Sequence, residues 1–126
     1  MNEIIDEIQS KINSSIFLDF DMGNTTWFRV GGKTKAYVIV NSIKDLKTIL
    51  TYANQINYYI IGAGSNLLIR ESGFNGLIIK LGKNFSNISL LPNNIIVAGS
   101  SVTDKKLSDF AMGNNIGGFE FLACIP

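Results

Sequence analysis

The sequence predicts an α+β fold. Short apolar, β-branched runs recur along the chain, amphipathic helical patterns interrupt them, and clusters of Gly, Asn and Pro separate the two kinds of segment. The order is helix, strand, helix, then several strands and a last helix, which is α+β or mixed α/β rather than a regular alternation.

Ile4, Ile5, Ile8 and Ile12 repeat at helical spacing with Asp6, Glu7 and Lys11 between them, so the chain begins with a short amphipathic helix. Phe17 to Trp27 shows no period and reads as extended or loop. Gly31-Gly32 punctuates it. Ala36-Tyr37-Val38-Ile39-Val40 is a buried strand. Ser42 with Asp45 three residues on approximates a capping box, and Ile43, Leu46, Ile49, Leu50 and Ala53 fall on one helical face. Tyr58-Tyr59-Ile60-Ile61 is a second strand, in which alternation is expected to place one tyrosine in the core.

Leu67-Leu68-Ile69 is a short apolar run of strand type. Gly73 and Gly76 are expected to bracket a turn before a strand at Leu77-Ile78-Ile79-Lys80. Ser86 to Leu91 has a weak strand pattern, Pro92-Asn93-Asn94 is a turn, and Ile95-Ile96-Val97-Ala98 is a strand running into Gly99. Asp104 to Met112 is helical, with Leu107, Phe110 and Ala111 facing inward. Asn114-Asn115 ends it and Gly117-Gly118 marks the next turn.

A length of 126 residues suits one domain. The charged fraction is 17% and the hydrophobic fraction 46%, enough apolar surface to offset ordering entropy, so a disordered chain is excluded. The formal net charge is +1 and Lys and Arg are scattered, which does not suit non-specific nucleic-acid binding. A single cysteine, Cys124, precludes an internal disulfide, and its apolar neighbours suit a small buried hydrophobe. The chain has no histidine, so the commonest general base and transition-metal ligand is missing, and no zinc-type cluster exists. Acidic residues near Met1 and the lack of a long apolar run point to a cytoplasmic protein without a membrane partner.

The loop Gly62-Ala63-Gly64-Ser65-Asn66 carries the most chemistry. Small residues let the backbone approach a bulky anion, glycines let several N–H groups turn toward one point, and Ser65 and Asn66 add side-chain donors. Hydrogen bonds to a charged acceptor contribute about 1.5–3 kcal/mol each, so a few of them hold a diphosphate without a lysine. The residues fit a plain strand-to-strand turn equally well. Two better-known phosphate motifs fail. A dinucleotide fingerprint needs glycine where Leu67 stands. A P-loop ending in Gly32-Lys33-Thr34 needs its first glycine where Trp27 stands.

Ile61 through Ile69 resembles the FAD-binding segment of the UDP-N-acetylenolpyruvoylglucosamine reductase (MurB) family. Asn24 to Gly32 resembles that family's lead-in motif, Ile96-Val97-Ala98-Gly99 its strand ending beside the flavin, and Gly117 to Pro126 the approach to its flavin-contacting Ile-Pro-Gly turn. These ordered matches imply a partial FAD-binding domain of the PCMH or vanillyl-alcohol-oxidase type over residues 24–126, behind a helix and extended lead-in at 1–23. They imply FAD contacts from Ile61, Gly62, Ala63, Gly64, Ser65, Asn66, Leu67, Gly99, Ile125 and Pro126. They also imply NADPH as co-substrate and a UDP-sugar whose enolpyruvyl group is reduced for peptidoglycan synthesis.

Lys33 stands where the family commonly has proline, and Cys124 where many members have glycine. The family's catalytic arginine, proton-donating serine or cysteine, and glutamate fall beyond Pro126. The chain alone is therefore expected to hold no catalytic residue, to be inactive, and to self-associate through apolar surface. A nucleotide-diphosphate-binding module without redox chemistry, or another PCMH-type oxidoreductase, are the alternative readings. Arg29 is expected at the surface and Glu120 in a structural role. Ser100 and Ser101 are expected either to touch the cofactor or to cap the helix that begins near Thr103.

Overall fold

The computed structural model describes residues 2–24, 32–62 and 72–124. Helix α1 is Asn2–Lys11, as the isoleucine spacing predicts, and Ile5 and Ile8 are its buried positions. Strand β1 (Ile16–Asp21) follows, an ordered strand where the sequence shows only a segment without period. Strand β2 is Lys33–Val40, helix α2 Ile43–Leu50, strand β3 Tyr58–Ile61 and strand β4 Phe74–Leu81. These strands form one sheet in the order β1-β2-β4-β3.

β1 runs antiparallel to β2, whereas β2, β4 and β3 are mutually parallel. Parallel neighbours require a crossover connection. Here α2 carries the chain from β2 to β3, and β4 then fills the place between them.

Period-two alternation sorts the strand residues onto two faces. Ala36, Val38 and Val40 of β2 and Leu77 and Ile79 of β4 pack with Ile5, Ile8 and Ile12 of the first helical segment and with Ile49, Tyr52 and Ile56 around α2. Burying each such aliphatic side chain contributes about 1.5–3 kcal/mol, so this helix-covered face is the main source of stability. The other face carries Tyr37, Ile61, Ile78 and Met22, with Phe20 and Phe74 against them. Asp19 adopts a left-handed backbone, φ 47°. It lies between Leu18 and Phe20, and Phe20 stacks on Tyr37 with ring centroids 4.4 Å apart and planes 11° from parallel.

α2 is capped as the sequence predicts: Ser42 Oγ accepts from the Asp45 N–H at 3.1 Å. The Asp45 side chain serves a different purpose. It is 3% exposed, and its carboxylate accepts from the Asn13 N–H at 3.2 Å, the Ser14 N–H at 3.0 Å and the Ser14 hydroxyl at 2.7 Å. This joins the segment that leaves α1 to the first turn of α2. Burial pushes the Asp45 pKa up. The Ser14 hydroxyl, the Asn13 and Ser14 N–H groups and the Lys44 charge outweigh that, and the carboxyl sits below its usual value.

Two expectations are corrected. Gly76 lies inside β4, not at a turn: a Cβ there would fall on the Asn57 carbonyl, so glycine marks a close backbone approach within the strand. Tyr58 and Tyr59 are both exposed, at 39% and 56%, because β3 is the edge strand of this sheet and has no neighbour on one side among the described residues.

Strands β5 (Ile88–Leu91) and β6 (Ile95–Ala98) form a separate antiparallel hairpin through the 92–94 turn. Helix α3 (Asp104–Gly113) follows, N-capped by Thr103, whose side chain accepts from the Lys106 N–H. A 3-10 helix, Glu120–Cys124, packs beside it.

Candidate functional site

The carboxyl ends of parallel strands are where open α/β sheets present loops to ligands. In this sheet those ends are Val40, Leu81 and Ile61. Ile61 pairs in register with Lys80, so Gly62 comes one residue beyond that pair, beside Leu81. The Leu81 carbonyl accepts the Ser101 hydroxyl at 2.7 Å. The Ser101 N–H donates to the Phe85 carbonyl at 2.9 Å, and the Gly99 N–H to the Asn87 carbonyl at 2.8 Å. The segment leaving β6 is thus fastened at the end of β4, and Gly62 lies on the same carboxyl edge of the sheet. They are 37 positions apart in sequence, counting from Gly62 to Gly99, yet the fold puts both on one edge.

The two glycines differ in what surrounds them. Among the described residues, no atom beyond its chain neighbours lies within 4 Å of where a Gly62 Cβ would stand. That open approach suits close contact between backbone and a bulky anion. At Gly99 an added Cβ would fall on the Phe85 carbonyl. Packing of the 83–85 turn against the strand end accounts for glycine at 99, and its N–H is already bonded within the fold.

Of the ten residues expected at the cofactor, Ile61 is 8% exposed on the aromatic face, packed with Ile78, Tyr37 and Met22. Ala63, Gly64, Ser65, Asn66, Leu67, Ile125 and Pro126 lie outside the described residues, as do Leu68, Ile69 and Arg29. Ser101 neither caps α3, a role Thr103 performs, nor waits free. It fastens β6 to β4. Glu120 has a structural partner, accepting from the Gly118 N–H at 2.9 Å.

Sequence reasoning missed Asp45 as a tertiary tie and missed Ser101 as a strand-to-strand clasp. Both act through partners distant in sequence, for which a local pattern carries no signal. A groove of about 450 Å³ lies between α3 and the 3-10 helix, lined by Ser108, Asp109, Met112, Ile116 and Glu120 among others. It contains none of the expected cofactor residues. Among the described residues no three His, Cys, Asp or Glu side chains gather into a metal-binding group, and no helix is long and apolar enough to cross a membrane.

A family model described as "FAD binding domain" matches residues 34–126. The UDP-N-acetylenolpyruvoylglucosamine reductase of Pelagibacter ubique is 52% identical over 125 residues, covering 98% of this chain and 41% of the relative. The reductase of the same name from Rickettsia rickettsii is 43% identical over 109 residues, covering 86% of this chain and 37% of the relative. Among solved structures, the UDP-N-acetylenolpyruvylglucosamine reductase (MurB) of Thermus caldophilus matches with a TM-score of 0.70 at 25% identity, over 90% of this chain and 38% of that one. The chain spans about two fifths of the length of these relatives.

Proposed function

The chain belongs to the FAD binding domain family, and we propose that it holds the FAD diphosphate in a reductase that converts UDP-N-acetylenolpyruvoylglucosamine to UDP-N-acetylmuramate for peptidoglycan synthesis. The fold is the α+β, PCMH-type arrangement that the resemblance implies, present in part. The observation that carries the reading is the Gly62 position at the carboxyl end of β3, open among the described residues and on the same edge of the sheet as the clasp that Ser101 makes to Leu81. That geometry fits a diphosphate cradled by backbone N–H groups.

In this reading Gly62 admits the diphosphate and Ala63, Gly64, Ser65, Asn66 and Leu67 complete the loop around it. Gly99 holds the end of β6 against the 83–85 turn, and Ile125 and Pro126 approach the flavin. Residues 24–126 form the cofactor-binding part and 1–23 the lead-in. FAD, when bound, would supply two-electron redox chemistry between NADPH and the enolpyruvyl group, and the residues named here would hold and orient it. The chain contributes binding and orientation, with the catalytic acid and substrate site supplied from outside these 126 residues. The single cysteine suits a cytoplasmic setting. Exposed apolar side chains on the hairpin support self-association of the chain.

The test is titration with FAD, followed by flavin fluorescence and thermal stabilisation. Wild-type protein is expected to bind FAD and to gain melting temperature with FAD concentration. Gly62→Val is expected to keep the melting temperature of the free protein, since its Cβ meets no atom of the described residues, and to lose FAD affinity. Unchanged FAD affinity in Gly62→Val would refute the loop assignment. ADP binding as tight as FAD binding would favour a nucleotide-diphosphate module over a flavoenzyme.

A further inference from the structure

Resting on the FAD reading above, we propose that Lys80 is a further cofactor-binding residue, whose ammonium group neutralises the diphosphate at the carboxyl edge of the sheet. Lys80 lies on β4 and pairs in register with Ile61, one residue before Gly62. Leu77 and Ile79 face the helices and Ile78 the opposite side, so alternation puts Lys80 on the side of Ile78 and Ile61.

Its neighbours on that face are apolar. Ile78 is 2% exposed behind it, Ile61 flanks it on β3, and Ile39, its register partner on β2, flanks it on the other side. A charged ammonium among such groups is costly. Lys80 is half-buried, and a lysine so placed can lay its methylene stem along the apolar surface and carry its head to a polar rim. The near rim is the strand end where Gly62 begins its loop.

The charge has no partner of its own. The ion pairs among the described residues are Lys11 with Glu7 and Lys105 with Asp109, and no carboxylate engages Lys80. On a chain of net charge +1 the broad field is weak, so one well-placed cation decides the local potential for a dianion. The interleaving of β4 between β2 and β3 is what brings this lysine next to the loop.

Titration of FAD into wild type, Lys80→Ala and Lys80→Arg tests the idea, at about 50 mM and about 500 mM salt, where screening differs several-fold in length. At low salt Lys80→Ala should bind FAD about tenfold more weakly, equivalent to about 1.4 kcal/mol. Lys80→Arg should restore most of the affinity, and Lys80→Ala should lose part of the wild-type salt dependence. Circular dichroism melts check that each variant is folded. Equal FAD affinity of wild type and folded Lys80→Ala at low salt overturns the proposal, as does a loss that arginine fails to restore, which would indicate packing by the stem. Wild-type protein that fails to bind FAD would instead overturn the underlying functional reading.

Discussion

Two glycines at one edge of the sheet do opposite work. Among the described residues, Gly62 faces open space and Gly99 faces the Phe85 carbonyl. A Cβ at 99 forces either the 83–85 turn or the end of β6 to move, and overpacking of that kind costs about 1–3 kcal/mol. Gly99→Ala is therefore expected to lower the melting temperature, with any loss of FAD affinity following from that, whereas Gly62→Val should keep the melting temperature and lose FAD affinity directly. Equal melting temperatures for Gly99→Ala and wild type would show that the strand end relaxes freely. Asp45 supplies the other residue-scale prediction. Its pKa is lowered in the folded state, so its stabilising contribution is complete above the unfolded carboxylate value of about 3.9 and is lost as pH falls through the lower folded value. Asp45→Asn should melt below wild type at pH 6, and the gap should shrink toward pH 2. A gap that persists undiminished in acid would mean that shape, not charge, sets the contribution.

Elements depend on local signals to different degrees. The start of α2 was legible because Ser42 Oγ accepts the free Asp45 N–H of the helix start from three residues away. Ser42→Ala should cost about 1 kcal/mol, measurable as a shift in urea midpoint with unchanged slope. β1 was not legible. It owes its order to antiparallel pairing with β2, from Ile16 opposite Val38 to Asp21 opposite Lys33, and the Phe20–Tyr37 stack depends on a partner outside the segment. The glycine at 76 misled for a related reason. Its lack of a side chain answers the Asn57 carbonyl, and the Leu77 N–H beside it donates to that same carbonyl at 2.8 Å.

At the scale of the molecule, the glycine loop was readable in the residues but its setting was not. The order β1-β2-β4-β3 follows from crossover packing, and that order puts Lys80 in register with Ile61 and the Ser101 clasp on the same carboxyl edge as Gly62. The same sheet order leaves the β5–β6 hairpin as a sheet of its own, with Leu90, Leu91, Ile95 and Val97 each between 44% and 52% exposed. A two-stranded hairpin is marginal in water, and this one is tied to the larger sheet at its base by the Ser101 hydrogen bonds to the Leu81 and Phe85 carbonyls. Unpaired strand edges and apolar side chains on adjacent positions template association with another copy. The chain should therefore show a light-scattering mass that rises with concentration. Val97→Lys together with Leu90→Glu should reduce that rise without changing the melting temperature in dilute solution, because neither side chain is in the core. A mass that stays monomeric at high concentration in the wild type would mean that the hairpin is shielded within the chain itself.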